Sequence, residues 1–233
     1  MMTVAERVHI DDCGDAAIRV VAADADRELC WRIVHGLAAS LRRDPVPGVV
    51  TTIPTYDALL VELDPVLTSH HRTRGALIER LPDAAGWQPP EPRTFRIPVR
   101  YGGSYQGDLE VVAGLLGIAP EEVIAIHSGQ PLMMRCFGSP GGAPMLDGPP
   151  FGAPIPRLGS PRAHVEAGAV AVAGRQAVIS ARPAPGGWQV LGRTPTRLVD
   201  LARPGLVPYR PGDRFEFHPI TDAEWRAHVE RPV

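Results

Sequence analysis

His127 stands at the end of a short run that begins at Pro120 and leads into Gly129 and Pro131. An imidazole placed there can exchange a proton near neutral pH; the competing reading is a part-buried histidine bonded to backbone. Further on, Phe137-Gly138-Ser139-Pro140-Gly141-Gly142-Ala143-Pro144 is a loop able to bring backbone N–H groups close to a substrate oxygen, as an oxyanion site requires. Ser139 lacks the strand-turn-helix setting of a nucleophile. Arg157, Arg162 and Arg193 carry the planar donors that clamp a carboxylate or phosphate, and a solvated surface group or a salt bridge is the alternative for each. Trp188, after two glycines, reads as a core or interface residue. Gly102-Gly103 and Gly107 precede a helix, but Asp108 at its start would repel a phosphate and reads as a cap. His70 and His71 are adjacent and cannot share a metal from one helix face. Cys136 reads as a small buried hydrophobe. No metal centre is expected.

Composition removes other chemistry. All 24 basic residues are arginine and there is no lysine, so the chain carries no covalent biotin, forms no lysine Schiff base and has no P-loop lysine. The net charge of −2 provides no basic face for nucleic acid. No apolar run reaches the roughly 20 residues that span a bilayer, and Glu6, Arg7 and His9 interrupt the stretch where a signal peptide would be apolar. A cytoplasmic protein is expected. Its three cysteines are far apart, without the pairing of a disulfide framework or zinc site.

The elements that must position these residues fall into two groups. Ala16 to Val21 reads as a strand. A helix follows from Asp24 or Asp26, with Leu29, Cys30, Ile33, Val34, Leu37 and Leu41 on one face, and Pro45 and Pro47 end it. Val49–Ile53 and Ala58–Leu63 read as strands. A second helix runs from about Ser69 to Leu81, where Pro82 stops it, and Arg93–Val99 supplies a fourth strand. The order β-α-β-β-α-β is the split-βαβ arrangement. The Pro-rich stretch Trp87 to Pro92 then divides residues 1–92 from residues 93–233. After two short helices, near Asp108 and from Pro120, the texture changes. Ala169–Ala173, Ala177–Ala181, Trp188–Leu191 and Arg214–His218 are short β-type runs between Gly and Pro, the pattern of a small barrel or sandwich.

A family resemblance rests on motifs in order along the chain. They are Pro47-Gly48-Val49-Val50; Ile97-Pro98-Val99-Arg100-Tyr101-Gly102-Gly103; Asp108 to Ala113; Glu121-Glu122-Val123-Ile124 with His127; Pro161-Arg162; Ala167 to Gly174 with Gln176; Pro185-Gly186-Gly187-Trp188; Gly192-Arg193-Thr194-Pro195; and Pro211-Gly212-Asp213. Together they resemble the family of 5-oxoprolinase B subunits, also called allophanate hydrolase subunit 1 or Kip-inhibitor-like. The resemblance implies an α+β protein, with a ferredoxin-like N-terminal domain followed by a cyclophilin-like β-barrel. It also implies a partner of related barrel fold, the C subunit. With the A subunit as well, the resemblance implies a complex that opens the lactam of 5-oxoproline using ATP. Two alternatives come with the family: a regulatory protein that inhibits a histidine kinase, and a carboxyltransferase half of a urea or allophanate pathway enzyme.

By the same resemblance His127 and Gln176 are the catalytic candidates and Pro140 and Gly141 substrate-binding ones; Arg157, Arg162 and Arg193 join the latter by their guanidinium chemistry. The pattern departs from the family at Gly142 and Pro144, where aromatics are usual, and around Gln176, where Arg175, Ala177 and Ser180 replace Gly, Thr and Tyr.

Overall fold

The computed structural model describes residues 3–102, 107–138 and 141–229. Ser139, Pro140 and Gly103 therefore lie outside the described residues. The chain divides into two compact units, Met1–Pro90 and Glu91–Val233. Among the described residues no helix is long and apolar enough to cross a membrane.

The first unit runs β1 (Val8–Asp12), β2 (Ala17–Ala22), α1 (Arg27–Arg43), β3 (Val49–Pro54), β4 (Ala58–Leu63) and α2 (His70–Gly86). Its four strands form an antiparallel sheet in the order β1-β2-β4-β3. The period-2 alternation of β2 and β4 sends Ile18, Val20, Leu59, Val61 and Leu63 to one face. Both helices cover that face, burying Ile33, Val34, Leu37, Leu77 and Leu81 against it. Asp26 caps α1 by accepting from the backbone N–H groups of Glu28 and Leu29 at 2.9 and 3.1 Å.

Two expectations for this unit need correction. The helix expected to stop before Pro82 continues through it to Gly86. A proline inside a helix costs about 3 kcal/mol, and here packing offsets it. Leu81 beside the proline and Ala84 beyond it are buried, and Ala84 lies against Gly36 of α1 so closely that a Cβ on Gly36 would fall 2.5 Å from its carbonyl oxygen. The strand expected at Arg93–Val99 does not join this sheet. Its edge place belongs to β1, which pairs with β2 from Val8↔Ala22 to Asp12↔Ile18. The split βαβ survives as β2-α1-β3 with β4 between the two strands, and the outer strand arrives from upstream instead of downstream.

The second unit contains β5 (Thr94–Tyr101), α3 (Leu109–Leu116), α4 (Pro120–Ser128), β6 (Leu132–Phe137), β7 (Pro144–Asp147), β8 (Arg162–Val165), β9 (Ala169–Ala173), β10 (Gln176–Ile179), β11 (Ala184–Gly186), β12 (Gln189–Arg193), β13 (Arg214–Pro219) and α5 (Asp222–His228). Seven strands close a barrel in the order β10-β7-β6-β13-β5-β12-β9, and β8 with β11 makes a separate two-stranded ribbon. Closure removes the free edges an open sheet would expose. Inside lie Ile97, Met134, Val170, Val172, Leu191 and Phe217, among others. The α+β class therefore holds, as a split-βαβ unit followed by a barrel.

One pairing in the barrel is parallel, β5 with β13, in register from Arg214↔Thr94 to Pro219↔Val99. Asp213 pins its start. The carboxylate is 1% exposed and accepts from Arg93 N–H at 3.0 Å, Arg93 Nη2 at 2.6 Å and Arg210 N–H at 3.0 Å. Its backbone carbonyl accepts from Met134 N–H on β6 at 2.8 Å. Asp213→Ala would remove the acceptor from two backbone N–H groups, while the half-exposed Arg93 guanidinium could turn to water, and should cost about 1–3 kcal/mol. Urea unfolding monitored by circular dichroism would show it as a lower midpoint at unchanged slope.

Candidate functional site

Alternation along the barrel strands makes two faces. Val170 and Val172 of β9 point inward, whereas Ala169 and Ala171 belong to a separate apolar patch outside the wall with Val190, Val165, Val178 and Trp188. The ribbon β8–β11 contributes Val165 to this patch. Between ribbon and wall lies a groove of about 280 Å³. Met145, Ala171, Val178 and Val190 give it an apolar floor, and Trp188, Arg157, Arg182 and Ser180 also line it.

The ribbon is held in place by a buried ion pair. Arg162, the first residue of β8, donates from Nη2 to Asp108 Oδ1 at 2.6 Å, while Asp108 Oδ2 accepts from the backbone N–H of Val190 on β12 at 2.7 Å. Asp108 thus does not cap α3 as expected: its side chain makes no cap bond. A carboxylate this buried is satisfied by a guanidinium and a backbone donor, and it ties the start of α3 to both the barrel and the ribbon. Arg162, expected to bind substrate, is engaged in building the groove's wall.

The other candidate residues are dispersed. Arg157 lines the groove. Gly141, in a left-handed conformation at φ +117°, lies beside Arg182; a Cβ there would be 3.2 Å from the arginine's Cδ and Nε. Gly138 and Ala143 on either side of this loop line the groove, and Gly138 N–H donates to Ala143 O at 2.8 Å. Tyr209 O–H holds the loop by donating to Gly142 O at 2.7 Å. Gly142 also explains the loss of a ring at that position, because a Cβ there would lie 2.9 Å from Val207 Cγ1. Arg193 lines a different groove, of about 530 Å³, with Thr194, Arg197 and Trp225. It donates from Nε to Ala167 O at 2.9 Å and lies 5.9 Å from the Trp225 ring centroid. Gln176 opens β10 opposite Asp147 and Ala173 and lines neither groove.

His127 is placed in the core, not at a surface loop. It is 0% exposed and lines neither groove. Nδ1 is 2.7 Å from the Tyr101 hydroxyl, and the ring lies 4.5 Å from that of Phe217. Among the described residues Nε2 has no hydrogen-bond partner. Burial pushes its pKa down to about 3, and burial likewise raises the Tyr101 phenol above its ordinary range. The imidazole is thus neutral at physiological pH and out of reach of both grooves. In this fold the ring packs in the core beside Phe217 and bonds Tyr101.

The residue that sequence reasoning missed is Arg182. Flanked by Ala181 and Pro183, it carries no motif, and only barrel closure brings it to the groove with Arg157.

The same architecture recurs in known proteins. The model of the carboxyltransferase domain, subdomain C and D, matches residues 8–208. The chain belongs to this family. The B subunit of 5-oxoprolinase from Bacillus subtilis is 33% identical over 239 residues, spanning 98% of this chain and 99% of the relative. Among solved structures, TTHA0988 superposes with a TM-score of 0.75 at 34% identity over 88% of this chain, which spans only 40% of that protein. The K. lactis urea amidolyase superposes at 0.80 over 97% of this chain, which spans 16% of it; at 20% identity the likeness is one of fold. In this member of the carboxyltransferase-domain family, then, the barrel's outer wall carries the groove with two arginines.

The buried histidine has a measurable consequence. With a folded pKa near 3 and an unfolded value near 6.5, the unfolded chain binds the extra proton first as pH falls. Stability from this residue is complete above pH 6.5 and is lost progressively from 6.5 towards 3, at up to about 1.4 kcal/mol per pH unit. Urea titrations at pH 7, 5.5 and 4.5 should show this decline, and His127→Gln should flatten it by one proton's worth.

Proposed function

We propose that this chain is the B subunit of a 5-oxoprolinase-type complex, binding and orienting substrate while a partner completes the chemistry. One observation carries the reading. The described residues lining the β8–β11 groove include cationic donors and a hydroxyl, but no carboxylate, histidine or cysteine. Opening a lactam requires water to add at the carbonyl carbon, the C–N bond to break and the departing nitrogen to take a proton, and those proton transfers need a positioned acid and base. A groove that can hold an anion but cannot move a proton is half of a site. The end-to-end match to a relative whose name marks it as one component of an oxoprolinase supports the same view.

In this reading the chain acts with a barrel-type C subunit and an A subunit. The complex consumes ATP and one water to give ADP and phosphate, while 5-oxoproline and a second water become glutamate. A groove of about 280 Å³ is small for a nucleotide, which favours ATP binding elsewhere in the assembly. The lack of lysine excludes covalent attachment of biotin to this chain.

The reading is tested by reconstitution. The chain and its A and C partner proteins are purified separately and assayed for 5-oxoproline-dependent ADP release. Turnover should require all three, with any pair at background. Background rates from the full mixture would overturn the proposal.

A further inference from the structure

Several arginines of this unit are committed to carboxylate partners. Arg93 bonds Asp213, Arg100 bonds Asp222, Arg135 bonds Asp147 and Arg162 bonds Asp108. Arg157 and Arg182 differ: both are exposed, and among the described residues neither makes a hydrogen bond or ion pair. Both line one groove, and no acidic side chain is among its described lining residues. Each guanidinium lies along a glycine. A Cβ on Gly187 would be 3.6 Å from Arg157 Nη2, and one on Gly141 would be 3.2 Å from Arg182 Nε. The segment carrying Arg157 is fixed by Leu158 N–H donating to Gly187 O at 2.8 Å. Two uncompensated cations over an apolar floor are suited to a ligand with a negative end and a compact apolar body.

We propose that Arg157 and Arg182 together receive the carboxylate of a small cyclic amide acid whose ring rests on the floor formed by Ala171, Val178 and Val190. This deepens the 5-oxoprolinase-type reading and rests on it for the identity of the ring. Paired guanidinium donors match a carboxylate's two oxygens, and charge-assisted bonds of this kind are about twice as strong as neutral ones. The volume of about 280 Å³ lies at the small end for ligand pockets, which favours a single five-membered ring over a nucleotide or a peptide. The arginines fix orientation, so the lactam carbonyl is presented at a constant distance from whatever the partner protein supplies. They are binding and positioning residues, and neither moves a proton.

The test uses the full-length chain, alone and with its C-type partner, titrated calorimetrically with L-5-oxoproline and with 2-pyrrolidinone, the same ring without the carboxylate. Arg157→Gln and Arg182→Gln should each weaken 5-oxoproline binding about tenfold or more, with no change in melting temperature because both side chains are exposed and unpaired. Binding of 2-pyrrolidinone should be weaker in the wild type and the same in the variants, and Arg72→Gln on α2 should match the wild type with both ligands. Wild-type affinity for 5-oxoproline in both groove variants, or no binding by the wild type, overturns the inference. The two readings separate cleanly. If the three-protein complex turns over with an unaltered KM in the groove variants, the carboxylate site falls and the assignment to the complex stands. If the complex is inactive yet the variants lose carboxylate binding, the assignment falls and the site stands.

Discussion

The second unit depends on the size of the side chains that β9 turns outward. Ala169 and Ala171 are small, and they alternate with Val170 and Val172, which fill the barrel. Larger outward residues would close the space between wall and ribbon. With alanines there, β8 and β11 stand off the wall, and Trp188 and Val165 cover part of the gap. The groove results from strand alternation combined with a low side-chain volume at Ala171, which lines it. The Asp108–Arg162 pair then holds the ribbon at that distance, since Asp108 is bonded at once to the ribbon and to the barrel strand β12. A buried pair of this kind gains little net stability, but losing one partner strands the other charge. It is better suited to fixing geometry than to raising stability.

The same distinction separates the polar residues of the barrel. Several have partners within the fold: Asp213 with Arg93, Asp147 with Arg135, His127 with Tyr101. Their charges or dipoles are used within the fold, and for His127 and Tyr101 burial moves the protonation equilibria away from neutral pH. Cys136 belongs with them, its thiol pushed up to about 11 by burial. What remains available for a ligand is the set without internal partners, and in the groove that means Arg157 and Arg182. Function is better sought among unsatisfied groups at a surface cleft than among the residues with the most familiar chemistry.

That explains how far the sequence could be read. The helix α1 was legible because its apolar face repeats over many residues, and Asp26 announces its start. Strand β9 was legible because a run of Ala and Val between glycines has few other uses. By contrast β1 has only Val8 and Ile10 as apolar residues, and an edge strand needs little more. Strands β6 and β7 were hidden in a region dominated by Gly and Pro punctuation. Pro82 reads locally as a helix stop, and what carries the helix past it is the tertiary contact of Ala84 with Gly36. At the site, Arg157 was legible as an arginine able to clamp an anion, whereas Arg182 became visible only once the barrel closed. For His127 the local sequence suits proton transfer, and only the fold shows the ring packed against Phe217.

The division of labour in the proposed function is compatible with these placements. An apolar floor with two cations favours an anionic ligand over water, yet it offers nothing that could take or give a proton during amide cleavage. Adding an acid or base inside the groove would compromise the binding, because a carboxylate beside Arg157 or Arg182 would neutralise the guanidinium that the ligand needs. On the proposed reading, separating recognition from proton transfer onto different polypeptides would avoid that conflict. Orientation by the arginines would, on that reading, have no catalytic effect until a second surface brought an acid and a base to the exposed side of the ligand.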